Sequence, residues 1–168
     1  MKVGNTIAVL FFSLLGHSLC AQLSSSKPPA QPLPSVFFIG EHEAAFEALS
    51  FDYQTSLLEV CDENMDLAFE KWRHVLQEME SFAAVNGMDI RGVKLWINIF
   101  WNEEGRIDYI AYHLKPQSKN VDTRYLTALF KEFINVYETP VEHPEKFSHY
   151  GIASFPVFSR AEPVRPGQ

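Results

Sequence analysis

Cysteine is almost absent from this chain, which has Cys20 and Cys61 as its only two in 168 residues. A disulfide framework is therefore excluded as the source of stability, and the fold must rest on packing. Cationic residues are also sparse, with 14 Lys and Arg against 21 Asp and Glu and a net charge of −7. That balance excludes a nucleic-acid partner, because displacing counterions from phosphates takes a basic field. No apolar run approaches the roughly 20 residues of a membrane-spanning helix, so no transmembrane helix is expected in the mature chain. Glycine-rich phosphate loops and cysteine–histidine metal spacings are missing too, so no cofactor or metal is expected.

Aromatic residues, by contrast, are plentiful. They make up 14% of the chain, including 14 Phe, within a hydrophobic total of 46%. This is enough bulky apolar surface for one domain with a core of its own.

The N-terminus is patterned for export. Lys2 precedes the apolar run of residues 7–15, and Ser18, Leu19, Cys20 and Ala21 follow with small side chains near the exit. Charge, apolar stretch and small exit together predict a signal peptide over residues 1–21 and a periplasmic or secreted destination. Cleavage after Cys20 or after Ala21 satisfies the pattern, and acylation of Cys20 is the anchored alternative. Residues 22–35 hold Pro28, Pro29, Pro32 and Pro34 among serines and read as an extended linker. Residues 36–160 then form a single α+β domain, and residues 161–168, with Pro163, Pro166 and Gly167, a disordered tail.

Within the domain the hydrophobic period changes twice. Met65, Ala68, Trp72, Val75, Leu76, Met79, Phe82 and Ala83 recur by three and four and predict a helix over 62–86, with Gly87 as its left-handed cap. From Val93 the period falls to two, and Asn102, Glu103, Glu104 and Gly105 supply the turn of a hairpin whose return strand holds Ile107, Tyr109 and Ala111. Leu126, Leu129, Phe130, Phe133, Ile134 and Tyr137 predict a second helix over 122–137, capped by Asp122 and stopped by Pro140. A last strand is expected over 151–158, at a sheet edge because Pro156 has no amide hydrogen. Shorter helical pieces are expected over 41–49 and 56–60, and a short strand or irregular segment over 36–39. The predicted fold is thus a small antiparallel sheet in β-β-α-β order, covered by helices, with an extra N-terminal helical region. Since the hairpin is apolar on both faces, either one helix belongs on each side, which buries Trp96 against Trp72 or Leu76 and is the arrangement expected, or one face is a contact surface.

Candidate chemistry is thin. Asp62-x-Asn64-x-Asp66 opens like a calcium loop, but Leu67 and Arg73 stand where glycine and glutamate are needed, so these carboxylates are expected to serve a helix N-terminus. Glu142, His143, Glu145 and His149 fit no zinc spacing. Glu103 and Glu104 are adjacent on a turn and point apart rather than across a substrate. Cys61 sits among Leu57, Leu58 and Val60 as a buried apolar thiol. His113, near Trp96 and Phe100, is the one histidine able to work with a strand carboxylate, Asp108, as acid and base.

Trp101-Asn102-Glu103-Glu104-Gly105-Arg106-Ile107, the helix over 126–134 and Phe155-Pro156-Val157-Phe158 resemble the TonB C-terminal domain family across residues 93–158. The resemblance implies a non-enzymatic envelope module that recognises a protein or peptide through a sheet edge. The edge residues expected here are Ile152, Ser154, Phe155 and Val157; the alternative surface is the Trp96, Phe100 and Tyr112 face, because aromatics on a second sheet face need a partner or a cover. A small secreted hydrolase using His113 and Asp108 is the alternative expectation.

Overall fold

The computed structural model describes residues 32–138 and 143–158. The expected signal peptide over residues 1–21 with Cys20, residues 22–31 of the expected linker, Pro140, Glu142 and the expected tail over residues 161–168 lie outside the described residues.

Periodicity becomes structure most directly in the two long helices. Helix α3, Met65–Val85, buries Ala68, Trp72, Val75, Leu76, Met79 and Ala83 along one stripe. Its N-cap is Asn64, whose side-chain oxygen accepts from the Leu67 amide at 3.0 Å, so the helix begins three residues after Asp62 rather than at it. Past its end Gly87 takes φ +72°, and the Met88 amide returns to the Ala83 carbonyl at 2.8 Å. Helix α4, Thr123–Val136, is capped by Asp122 and buries Leu126, Leu129, Phe130 and Phe133. No helix among the described residues is long and apolar enough to cross a membrane.

The fold is a mixed α+β arrangement around a five-stranded sheet of order β1-β4-β3-β5-β2. Strands β3, Lys94–Trp101, and β4, Ile107–Leu114, form the expected hairpin. Its turn is held by the Asn102 side chain, which accepts from the Glu104 and Arg106 amides, and by Gly105 at φ +76°. Strand β5, Phe147–Ser154, pairs antiparallel with the other side of β3, so β-β-α-β order is present in the sheet centre. The expectation of a purely antiparallel sheet is corrected at both margins. Strand β1, Val36–Phe38, runs parallel to β4, and β2, Thr55–Ser56, runs parallel to β5. Strand β5 also lies about four residues earlier than the sequence pattern suggested. Pro156 falls after it, in a bend with a cis Phe155–Pro156 bond, and so does not dictate the edge.

Ahead of α3, helix α1 spans Glu43–Asp52 and α2 spans Leu57–Val60. Ser56 and Glu59 make a reciprocal capping box that starts α2. Cys61 is a free thiol buried at 3% exposure, and burial raises its pKa.

Each sheet face has its own cover. Leu95, Ile97, Ile99 and Trp101 of β3 share one face with Ile110 and Tyr112 of β4, and this face lies in the main core with the stripes of α3 and α4. The opposite face carries Trp96, Asn98 and Phe100, and α1 covers part of it. There Phe46, Leu49 and Tyr53 pack with Phe37, Phe100 and Ala111. The expectation of one long helix on each side is corrected: α3 and α4 both cover the first face, and the only helix packed on the Trp96 face among the described residues is α1. Trp96 is therefore half-buried instead of lying in the core, and Trp72 meets the His149 ring instead, tilted at 56° to it. Tyr112 is likewise on the α4 side, fully buried, its hydroxyl within 3.0 Å of the Thr123 carbonyl. It belongs to no surface with Trp96 and Phe100.

Candidate functional site

Because the α1 cluster covers Phe100 and Ala111 but does not include Trp96, Tyr150 or Ile152, the rest of the second face is open. Trp96 stands opposite His113 on β4 and Ile152 on β5, while Asn98 stands opposite Ala111 and Tyr150. Tyr150 is 59% and Ile152 51% exposed, an unusual showing for large apolar side chains on a sheet. Trp96 is held on one side by the His113 ring, 6.0 Å between centroids, and the Lys115 ammonium lies over it at 5.4 Å. Asn98 forms the floor. It is 9% exposed, and its Oδ1 accepts no hydrogen bond among the described residues. A buried acceptor without a donor is costly unless something else supplies one.

The margin of this face is the free part of β5. In an antiparallel ladder alternate residues turn their main-chain groups to opposite neighbours. The Phe155 amide donates to the Val93 carbonyl at 3.0 Å, which places Ala153, Gly151 and His149 in the set bonded to β3. Ser148, Tyr150, Ile152 and Ser154 therefore present N–H and C=O outward. Strand β2 pairs only with Phe147 and Ser148. From Tyr150 to Ser154 the outward groups have no strand partner among the described residues, and no charged residue or proline guards this stretch as edge strands usually require.

Of the four edge residues expected from sequence, Ile152 and Ser154 lie on this margin with exposed side chains. Phe155 does not offer itself, being 3% exposed in the main core with its carbonyl taken by the Gly92 amide. Val157 packs half-buried against the core, and its amide donates to Glu80 Oε2 at 2.8 Å. Tyr150, missed in the sequence, is the more exposed of the two large apolar residues there. The alternation of β5 would have revealed it had the strand been placed four residues earlier.

Asp108 and His113 are not brought together. They sit five residues apart on β4, about 16 Å along an extended strand. Asp108 accepts from the Tyr53 hydroxyl at 2.6 Å and from Asn102 Nδ2 at 3.0 Å. Burial, then the hydrogen bond and charge of Asp108, push the Tyr53 pKa well above the usual phenol range. His113 Nδ1 is 2.7 Å from the Leu114 carbonyl, on the exposed end of the strand. His143 stands against Phe147, with its Nδ1 accepting from the Glu145 amide, and His149 against Trp72. These groups line no common cleft, so the acid–base pair considered from sequence has no geometric basis. No group of three or more His, Cys, Asp or Glu able to hold a metal occurs among the described residues.

Comparison of the chain with protein-family models, with curated proteins and with solved structures finds no match.

Proposed function

We propose that the protein is an exported, non-enzymatic binding module that captures an extended segment of a partner protein by adding it as a strand beside β5. The observation that carries this reading is the unpartnered outward main chain of Tyr150, Ile152 and Ser154. Main-chain pairing supplies affinity in strand addition, and the side chains flanking the groove supply selectivity. Here Tyr150 and Ile152 present apolar surface next to that edge, and the unsatisfied Asn98 Oδ1 offers an acceptor behind them. Export rests on the charge and apolar pattern of residues 1–21, and the TonB C-terminal-like kinship of residues 93–158 is part of the same proposal.

The test uses the ladder's parity. Ile152→Pro deletes an outward amide while leaving the bonds of Gly151 and Ala153 to β3 intact, and edge strands tolerate proline at such positions. A fluorescent heptapeptide alternating valine and glutamine should bind the native chain and Ile152→Val, and lose about tenfold or more in affinity for Ile152→Pro. Circular dichroism should stay unchanged across the three proteins. Equal binding to a folded Ile152→Pro protein, or no binding to the native chain, would refute the proposal.

A further inference from the structure

The open face differs in charge from the chain that carries it. Lys115 lies over the Trp96 ring, and strand alternation puts Lys94, two residues before Trp96, and His113, directly opposite it, on the same side. The other strand residues of this half-face are Asn98, Ala111, Tyr150, Ile152 and Ser154, none of them a carboxylate. Neither Lys94 nor Lys115 forms an ion pair among the described residues. Asp108, the carboxylate on β4, is at the opposite end under Tyr53 and Asn102. On a chain of net charge −7, two unpaired ammonium groups thus flank the aromatic surface beside the free edge.

From this charge complementarity we infer that the segment captured beside β5 is acidic, with a glutamate or aspartate on the side facing Trp96. The inference rests on the strand-capture reading above and names its partner's chemistry. A strand added to β5 lies about 4.8 Å from it and about 10 Å from β3, and every second side chain falls on this face. That span is within the joint reach of a carboxylate side chain and a lysine stem, which lies along apolar surface while its ammonium stays in water. Capture of a basic segment would place like charge against Lys94 and Lys115, a repulsive element that discriminates between partners.

Three fluorescent heptapeptides test this, alternating valine with glutamate, with glutamine or with lysine. The overall charge of the protein favours the lysine peptide, whereas the local face favours the glutamate peptide, so the order of affinities separates the two influences. Glutamate should bind about tenfold or more tightly than lysine, with glutamine between, as two exposed ion pairs would give. The Lys94→Glu, Lys115→Glu double variant should reverse the order, and Lys94→Gln, Lys115→Gln should level it. Equal affinity for all three peptides, or preference for lysine, would overturn the acidic-partner inference while leaving strand capture standing. Binding of none of them would overturn both.

Discussion

Trp72 lays its indole against the His149 ring, with centroids 4.5 Å apart, and the pair closes over Gly151. A Cβ at residue 151 would fall 3.0 Å from Trp72 Cζ2 and 3.1 Å from His149 Nε2. Glycine is needed here for close approach of a helix side chain to the strand, not for an unusual backbone angle. Gly151→Ala should therefore destabilise the protein by about 1–3 kcal/mol through overpacking, measured as a lowered denaturation midpoint. An unchanged midpoint would mean that α3 sits farther from β5 than described.

The same pair makes stability depend on pH. Burial lowers the His149 pKa from its ordinary 6.5, so the folded state disfavours the imidazolium. The sign follows from proton uptake: below about 6.5 the unfolded chain binds a proton that the folded chain refuses. His149 thus costs no stability above that pH, and stability falls as the pH drops from about 6.5 towards the lower folded value. Denaturant titrations of native protein and His149→Phe should diverge in slope against pH within that window. Parallel curves would contradict the placement of His149.

Trp96 and Trp101 provide an internal comparison on one strand. Trp101 is 1% exposed and stacked on Phe147 at 5.0 Å, whereas Trp96 is half-buried on the open face. Trp101→Ala should cost about 3–5 kcal/mol. Trp96→Ala should cost no more than about 1–2 kcal/mol, as expected outside a packed core, yet weaken capture of the valine–glutamate peptide. Equal destabilisation by the two substitutions would mean that Trp96 is a core residue after all.

Tyr53 ties the end of α1 to the sheet through its hydroxyl bond to Asp108. Tyr53→Phe keeps the ring against Phe100 but removes a hydrogen bond to a charged acceptor, an expected loss of about 1.5–3 kcal/mol. Thermal unfolding of the single variant checks it. No change in melting temperature would show that Asn102 alone satisfies Asp108.

The elements legible in sequence were those whose side chains repeat along one surface. Helices α3 and α4 and the β3–β4 hairpin each show five or more periodic apolar residues, and their bounds shifted by only a few positions. Strands β1 and β2 have three and two residues, too few for a period, and their parallel pairing depends on contacts distant in sequence. Helix α1 buries Leu49 alone within its span, so its pattern did not announce it as the cover of the second face. That gap led to the burial assigned to Trp96. Periodicity says that Leu95 and Trp96 face opposite ways but not which helix meets which side. Ile152 and Ser154 fall within β5, while Phe155 and Val157 lie beyond its end, because the expected strand of eight residues is placed four positions too late along the chain.

Amide hydrogen exchange at single residues tests strand capture most directly, because the ladder's parity separates neighbouring amides on β5. In the free protein the outward amides of Tyr150, Ile152 and Ser154 should exchange fast and the inward amides of Gly151 and Ala153 slowly. Adding the valine–glutamate heptapeptide should slow the outward set and leave the inward set unchanged. Outward amides already protected in the free protein, or still fast when the peptide is bound, would contradict capture at this edge.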